Sequence, residues 1–293
     1  MDMSTDIRAL VLGRVGADLY PLQERTPLEE VLTFERFVGG FAGNVATGLA
    51  RLGVTTAIVS AVGDDGHGRF VRRFLAGEGV DLRWLGVHPT LRTALAFCEL
   101  WPPNDFPLTF YRTPTCPDWE LTEDDLPLEL LATVPLLYVT GTGLAQEPSR
   151  STTLAALRAR QLAARAASPA GSGGPALTTI LDLDWRAVLW SSPDEYPGLI
   201  SAAAGLADVL LGGAAEFAAA ELDPASSLEL GPSVAVEKMG PDGARVFRAG
   251  SVVNVPGLPV PVTNGLGAGD AFAAAFGAAL LAGMGPEDAA RQG

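Results

Sequence analysis

The segment Val262-Thr-Asn-Gly-Leu-Gly-Ala-Gly-Asp-Ala-Phe272 places three closely spaced glycines directly before the alanine-rich run 271–281. The composition of this run is typical of a buried helix, so the pattern predicts a glycine turn opening a helix, with Asp270 in its first turn. The unpaired N–H groups and the dipole of a helix start bind anions. Phosphoryl transfer needs such a site beside a carboxylate base. The segment leaves one alternative open, a plain helix cap with glycines that only turn the chain.

The composition excludes several functional classes. The 293 residues, 48% of them hydrophobic, suffice for one large α/β domain or a domain with a small lid. Two cysteines, Cys98 and Cys116, cannot form a disulfide framework, and with only two histidines a zinc site is not expected. The net charge of −14 argues against nucleic acid and anionic membranes as partners. We therefore expect a phosphate ligand to be held locally, together with Mg²⁺.

The start of the chain predicts no signal peptide, and no apolar run predicts a membrane span. The first residues lack a basic start followed by an apolar run, which a signal peptide requires. The longest apolar run, 271–284, is too short to cross a bilayer and is better interpreted as a core helix. We expect a soluble cytoplasmic protein.

Buried strands alternate with helical segments along most of the chain. Strands are predicted at 9–13, 55–62, 136–139, 179–183, 208–211 and 233–237, with helices at 45–52, 69–78 and 149–167 and a hairpin at 244–255. This alternation predicts a mainly parallel sheet with helices on both faces. Neither of the two common glycine-rich nucleotide motifs, G-x-x-x-x-G-K-[ST] and G-x-G-x-x-G, occurs, so a nucleotide would bind by another route.

Two segments interrupt the alternation. Residues 19–38 are polar with short apolar pieces, and residues 90–113 contain two predicted strands around the proline-rich connection 101–107. We interpret them as a small β lid over the active site, which a kinase needs to exclude water. The predicted organisation is one domain over 1–293, with lid segments at about 19–38 and 90–113. A low-complexity loop is predicted at 168–175.

Several polar residues stand at predicted strand ends, where open α/β sheets bind ligands. Asp18 follows the first strand, and Asp182, Asp184 and Arg186 follow another. Gly39 and Gly40 precede a helix for which Asn44 is the predicted cap, unless its amide and the glycine backbone serve a polyol. Asp64 and Asp65 suit metal binding, but a turn and helix cap is the better interpretation.

These motifs resemble the PfkB, or ribokinase-like, family of sugar kinases. Gly39-Gly40 with Asn44 is similar to the family's N-terminal signature, and Asn264-Gly-Leu-Gly-Ala-Gly-Asp270 to its C-terminal signature. Further segments follow in the family's order, namely Asp18, Gly63-Asp-Asp65 with Gly68, Glu216 and Lys238-Met-Gly-Pro-Asp-Gly243. The resemblance covers nearly the whole chain and implies a ribokinase-like α/β fold.

The resemblance also implies a role for each matching residue in an ATP-dependent transfer to a sugar hydroxyl. Asp270 would be the general base, and the N–H groups of Gly267, Ala268 and Gly269 would form the anion hole. Substrate hydroxyls would be held by Asp18, Gly40 and Asn44. The nucleotide would be bound by Lys238, Gly240, Gly243 and Asn264, and Glu216 would organise Mg²⁺.

Within the family, four segments resemble the kinases that act on 5-dehydro-2-deoxy-D-gluconate in bacterial myo-inositol catabolism. They are residues 13–21, 97–107, 110–112 and 182–186. This likeness implies phosphorylation of the 6-hydroxyl of that sugar acid. Its carboxylate calls for a positioned arginine, because a guanidinium matches it bidentately. Arg112 and Arg186 are the candidates, with Arg14 as a third. For each of the three, a solvated surface arginine is the alternative.

Two other functions stay open at this point. One is a kinase for another sugar or sugar acid, such as 2-keto-3-deoxygluconate. The other is a catalytically weak relative that binds a sugar or a nucleotide.

Two departures from the family pattern carry expectations of their own. Gly213 stands where the family has the asparagine of Asn-x-x-Glu, although Glu216 is retained. The chain ends at Gly293, where relatives continue with helices that wall the adenine site, so we expect weaker ATP binding. We also expect a homodimer through the lid strands, because an exposed sheet edge favours pairing.

Overall fold

The computed structural model describes residues 6–102, 105–167, 177–260 and 265–293. The strands are β1 (Ala9–Leu12), β2 (Gly16–Pro21), β3 (Phe34–Gly39), β4 (Thr56–Gly63), β5 (Leu85–His88), β6 (Leu95–Cys98), β7 (Leu108–Tyr111), β8 (Leu136–Thr140), β9 (Thr178–Asp182), β10 (Val209–Gly213), β11 (Val234–Lys238), β12 (Ala244–Arg248) and β13 (Ser251–Val255). The α-helices are α1 (Phe41–Arg51), α2 (Gly66–Gly77), α3 (Leu128–Leu131), α4 (Ser149–Ala167), α5 (Tyr196–Ala204), α6 (Ala214–Ala219), α7 (Ala268–Leu281) and α8 (Pro286–Gln292).

The larger sheet has nine strands in the order β13-β12-β11-β10-β9-β8-β1-β4-β5. Every pair from β11 to β5 is parallel, whereas β12 pairs antiparallel with both β11 and β13. The sheet separates two hydrophobic cores, and consecutive residues of a central strand pack into different ones. Leu10 and Leu12 pack on one side of β1, and Ala9 and Val11 pack on the other. Burial on both faces explains the uninterrupted apolar runs from which the strands were predicted.

Helices cover both faces of this sheet. One core draws residues from α1, α2, α7 and α8, and the other draws residues from α4, α5, α6 and the segment 116–131. The predicted α/β class, with a mainly parallel sheet between two helical layers, is therefore confirmed. None of the helices in the described ranges is long and apolar enough to cross a membrane.

A smaller sheet stands apart, with four strands in the order β3-β2-β6-β7. Strands β2 and β6 are parallel, and the outer strands β3 and β7 are antiparallel to their neighbours. Its strands come from the two segments that interrupt the α/β alternation. The 19–38 segment supplies the second half of β2 and all of β3 except Gly39. That this sheet moves as a lid stays a prediction.

Helix α1 begins at Phe41, so the predicted role of Asn44 as its cap is wrong. Gly40 takes the N-cap position with φ +80°, and a Cβ there would lie 2.5 Å from the carbonyl oxygen of Arg14. Glycine adopts this conformation without steric strain, and it lets the two chain segments touch. The helix therefore starts earlier than its apolar spacing predicts, and Asn44 lies in its first turn.

The structure confirms one other local prediction and contains elements that were not predicted. Asp65 caps α2 as predicted, because its Oδ1 accepts the N–H groups of His67 and Gly68 at 2.8 Å each. Strand β5 and helices α3, α5, α6 and α8 were not predicted. The low-complexity loop predicted at 168–175 lies outside the described residues.

Candidate active site

A cavity opens between the smaller sheet and the carboxyl ends of the parallel strands. Its wall includes Asp18 from β2, Asn44 from α1, Asp270 from α7 and residues just past the ends of β1, β7 and β9. Three arginines also line it, namely Arg14, Arg112 and Arg186. The fold thus brings together the residues that the sequence predicted for base and substrate binding.

Asp270 lies in the first turn of α7, as the glycine-rich segment predicts. Gly267 stands at the N-cap of this helix with φ +77°, a left-handed conformation that suits glycine. The Asn44 side-chain nitrogen Nδ2 donates to Asp270 Oδ2 over 2.7 Å. Burial raises the pKa of Asp270, an effect that the Asn44 hydrogen bond opposes and nearby Asp184 adds to. A partly buried carboxyl with a raised pKa suits a general base.

The backbone at this helix start is partly available for an anion. The N–H groups of Gly269 and Asp270 lie in the first turn, where an α-helix offers no internal acceptor. The Ala268 N–H donates to Gly265 O at 3.3 Å, so within the predicted anion hole it must exchange partners to bind a ligand. Asn264, predicted to bind the nucleotide, lies outside the described residues.

Lys238, the last residue of β11, lies between two carboxylates beside this helix start. Its Nζ is 2.9 Å from Asp182 Oδ2 and 3.8 Å from Glu216 Oε2, and a Cβ on Gly269 would lie 3.6 Å away. Burial alone would lower the pKa of Lys238, but Asp182, Glu216 and Asp270 together raise it above its usual value. Burial raises the pKa of Asp182, although Lys238 opposes it. The ammonium is therefore held in its charged form.

Glu216 has a local structural partner. Its Oε2 accepts the N–H of Gly213 over 2.6 Å and so caps its own helix, α6. No group of three or more metal-ligating side chains occurs among the residues that the structure describes, and a magnesium role for Glu216 stays a prediction.

The turn after β11 contains the other two residues predicted to bind nucleotide. Gly240 has φ +57° and Gly243 has φ +95°. A Cβ on Gly243 would lie 2.1 Å from Val255 O, so this glycine is needed for the close approach of a neighbouring strand. Contact of the two glycines with a nucleotide stays a prediction.

Arg14 belongs to a buried polar network that links three strand ends. Its Nη2 is 2.7 Å from Asp184 Oδ2, and its Nε donates to Thr142 Oγ1 over 2.8 Å. Thr142 in turn donates to the same Asp184 oxygen at 2.6 Å. Burial alone would raise the pKa of Asp184, but Arg14, Arg186 and these hydrogen bonds hold it below its usual value. The interpretation of Arg14 as a solvated surface residue is wrong.

Arg112 is also buried, just after β7. Its Nη2 lies 2.5 Å from Asp118 Oδ1, and its guanidinium covers the ring of Trp119 at 4.5 Å. Asp118 Oδ2 accepts the N–H of Val15 at 2.9 Å, which ties the end of the smaller sheet to the segment after β1. The buried Nε of Arg112 has no hydrogen-bond partner in the described part of the chain. A surface role for Arg112 is wrong, because its side chain is buried.

Arg186 is the most exposed of the three arginines that line the cavity. Its side chain is 42% exposed and lies 3.5 Å from Asp184 Oδ1, and its Nη1 donates to Trp185 O at 3.1 Å. The weak ion pair leaves most of its donors toward solvent, so a ligand can reach them.

Asp18 projects into the cavity from β2 and depends on its neighbour Gly39. A Cβ on Gly39 would lie only 2.0 Å from Asp18 Oδ1, so the strand pair has room for this carboxylate only beside a glycine. Burial raises the pKa of Asp18 to about 6, with Arg14 opposing this shift and Asp270 adding to it.

Known proteins match both the sequence and the fold. The family described as pfkB family carbohydrate kinase matches residues 6–293. The chain belongs to this family. A 5-dehydro-2-deoxygluconokinase from Halalkalibacterium halodurans is 30% identical, over 100% of this chain and 88% of that protein. The Bacillus subtilis protein of the same name is 31% identical, over 97% and 86%.

Solved structures superpose over nearly the whole chain. A PfkB protein from Polaromonas sp. JS666 is 27% identical with a TM-score of 0.82, covering 98% of this chain and 92% of that one. A fructokinase from Vibrio cholerae, solved with fructose, ADP and a calcium ion, is 27% identical with a TM-score of 0.80, covering 97% and 90%. The predicted ribokinase-like fold and family are confirmed, and the protein is a phosphotransferase that acts on a sugar.

Some residues of this kinase site were missed by sequence reasoning. Thr142 and Asp118 hold two of the cavity arginines, and Tyr20 lines the wall beside Asp18. Thr142 carried a signal, because it follows the end of β8 in the same way that Asp184 follows the end of β9. Asp118 lies in a short 3₁₀ helix, Pro117–Trp119, and carries no such signal.

Proposed function

We propose that this kinase transfers the terminal phosphoryl group of ATP to the 6-hydroxyl of 5-dehydro-2-deoxy-D-gluconate in inositol catabolism. Two relatives at about 30% identity carry the corresponding name. The observation that carries the proposal for this chain is the set of arginines lining the sugar cavity. An acidic substrate supplies a carboxylate for the donors of Arg112 and Arg186 that their partners Asp118 and Asp184 leave unused, whereas a neutral sugar does not.

Arg186 and Arg112 are the proposed receptors for the substrate carboxylate. The exposed donors of Arg186 face the cavity, and the buried Nε of Arg112 needs an acceptor. An unsatisfied buried donor costs about 1–3 kcal/mol, so a ligand oxygen at this place gains that energy on binding. Arg14 is committed to Asp184 and Thr142, and its proposed role is to shape the cavity.

Asp270 is the proposed general base. It accepts the proton of the substrate hydroxyl while the new oxygen–phosphorus bond forms and the bond to ADP breaks. The N–H groups at the start of α7 and the ammonium of Lys238 stabilise the negative charge on the transferring group. Asp18 and Gly40 are proposed to orient the sugar, and the 240–243 turn and Asn264 to hold the nucleotide.

The carboxylates of Asp182 and Glu216 fit a divalent cation that arrives with the nucleotide. Hard oxygen donors are the ligands that Mg²⁺ prefers, and here Lys238 already places one positive charge between them. Magnesium bound there would neutralise charge on the phosphates.

We also propose that the chain acts as one domain in the cytoplasm, with the smaller sheet closing over the sugar. Both β2 and the end of β7 bring substrate residues, Asp18 and Arg112, so movement of this sheet would change the cavity. Its edge strands carry exposed Phe37 and Tyr111, which suit pairing with a second copy of the chain.

The test is a coupled ADP-release assay with a panel of substrates. The panel contains 5-dehydro-2-deoxygluconate, 2-keto-3-deoxygluconate and two neutral sugars, fructose and ribose. We expect the first acid to give the highest kcat/KM. In Arg186→Gln, KM for acids should rise about 10- to 100-fold, since a charge-assisted hydrogen bond contributes about 1.5–3 kcal/mol. Neutral sugars serve as the control, with unchanged KM.

Other results would assign a different function. A higher kcat/KM for 2-keto-3-deoxygluconate would make that acid the substrate. Preference for a neutral sugar, with Arg186→Gln without effect, would refute the sugar-acid proposal. Ligand-induced stabilisation without turnover would indicate a weakly catalytic binding protein.

A further inference from the structure

Helices α1 and α7 approach each other very closely below the active-site cavity. A Cβ on Gly48 would lie 2.6 Å from the Cβ of Ala274, so the helices touch there through a glycine and an alanine. One turn nearer the cavity on each helix stand Asn44 and Asp270. Residues four apart share one helix face. The spacing at Gly48 and Ala274 therefore also sets the distance between Asn44 and Asp270.

The hydrogen bond between Asn44 and Asp270 engages only one of the two carboxylate oxygens of the base. Asn44 Nδ2 donates to Asp270 Oδ2 over 2.7 Å, and this bond joins residues 226 positions apart in the chain. A carboxylate has two oxygens, so Oδ1 stays available for the hydroxyl that gives up its proton. A donor to one oxygen fixes the rotation of the carboxylate and favours its charged form.

The other side of α7 is fixed as well. The Tyr138 hydroxyl donates to the carbonyl oxygen of Ala273, and a Cβ on Gly277 would lie 2.8 Å from the ring of Tyr138. Helix α7 is therefore held between α1 and the sheet and has little room to correct a misplaced base.

We propose that Asn44 is a positioning residue, which holds one oxygen of the Asp270 carboxylate, and that Gly48 sets the helix spacing on which this hydrogen bond depends. The proposal rests on the proposed role of Asp270 as the base. It gives Asn44 a function different from the contact with substrate hydroxyls that the family resemblance implies.

Other groups around Asp270 also affect its protonation. Those that act on it from the surrounding strands are Arg14, Asp18, Tyr20, Asp184 and Lys238. None of these five residues belongs to α1, so a change in the pH profile on replacing Asn44 or Gly48 reports on the α1–α7 contact.

The first test is the pH dependence of kcat/KM in Asn44→Ala. We expect kcat to fall about 10- to 100-fold, part of the effect of a general base. The acid limb should move up by about 1 pH unit, because removal of a hydrogen bond to the charged form raises the pKa of Asp270. KM for the sugar should change less than about threefold. An unchanged acid limb with a large rise in KM would overturn the proposal.

The second test uses a residue remote from any ligand. In Gly48→Ala the added methyl group pushes the helices apart, and we expect the same changes in kcat and acid limb as in Asn44→Ala. Gly48→Ala/Ala274→Gly removes the opposing methyl group and should recover most of the loss. A Gly48→Ala enzyme with full kcat, or a double variant without recovery, would contradict the proposed spacing.

A titration of the Asp270 carboxyl by ¹³C NMR separates this proposal from the proposed function. The signal is assigned by its loss in Asp270→Asn, and it needs no turnover. A higher pKa in Asn44→Ala and Gly48→Ala supports the positioning contact even when no sugar acid is phosphorylated. Equal pKa values in all three proteins, alongside an active wild type, would reject the contact and leave the kinase function intact.

Discussion

Replacing Lys238 by methionine removes the ammonium that contacts both Asp182 and Glu216. The Lys238 side chain is 17% exposed and that of Asp182 is 3% exposed, so water screens this pair poorly. At the observed 2.9 Å, with an effective dielectric constant of about 20, the attraction is about 6 kcal/mol, and desolvation of both groups offsets much of it. Removing one partner leaves a buried charge unpaired.

We therefore expect Lys238→Met to lower the free energy of unfolding by about 3–5 kcal/mol. The double variant Lys238→Met/Asp182→Asn removes both charges, so its free energy of unfolding should fall less than that of the single variant Lys238→Met. Burial already raises the pKa of Asp182, and loss of Lys238 raises it further. A carboxyl whose folded pKa is raised stabilises the fold below its unfolded pKa of about 4, and that stability is lost as the pH rises. The loss in Lys238→Met should therefore be larger at about pH 8 than at about pH 5.

Urea unfolding of wild type, both single variants and the double variant gives a double-mutant cycle for this pair. Millimolar Mg²⁺ without nucleotide is expected to recover part of the loss in Lys238→Met, because Asp182 and Glu216 then lack a cation. The double variant should respond less. A coupling energy below about 0.5 kcal/mol would refute the reasoning, because contacting buried charges must couple more strongly than that.

Three further outcomes follow from buried polar groups. Burial raises the pKa of Asp18 to about 6, so its charged form opposes folding at neutral pH. At about pH 8, Asp18→Asn should unfold at a higher urea concentration than wild type, with a free energy of unfolding that is larger by up to about 3 kcal/mol. This gain should fade below about pH 4, and equal urea midpoints would contradict the prediction. Gly39→Ala places a methyl group against the Asp18 carboxylate and should raise the sugar KM by about tenfold, whereas an unchanged KM would remove Asp18 from the binding site. Arg160 is fully buried and donates to the carbonyl oxygens of three residues, so Arg160→Met should cost about 3 kcal/mol or more in urea unfolding; a loss below about 1 kcal/mol would contradict this.

The parallel sheet and the start of α7 could be predicted from the sequence because their signals are local. Each central strand is a short apolar run, and each is buried on both faces, so no register or partner is needed to recognise it. Strands β2 and β3 were harder. Their residues are mostly half-buried or exposed without clean alternation, and a strand of this kind has little periodicity to detect.

The polar partners of the site could not be predicted in the same way. Arg14 pairs with Asp184 across 170 positions, and no local pattern marks such a contact. Arg14 is buried because the ends of β1, β8 and β9 meet around it. The sequence does not show where strand ends meet, so a surface position was left open as an alternative. The position of Asn44 depended on the glycine conformation at Gly40, which moved the helix start by four residues. In both cases tertiary contact, not local preference, decided the outcome.

The central claim is that the start of α7 is the catalytic centre of a sugar kinase, with Asp270 as its base. The direct measurement is kcat of Asp270→Asn against wild type, with ATP and the best substrate of the panel, alongside ATP affinity by calorimetry. The account predicts that kcat falls about 10²- to 10⁴-fold while ATP affinity stays within about threefold. Activity within about tenfold of wild type would contradict it, because the proton of the sugar hydroxyl would then go elsewhere.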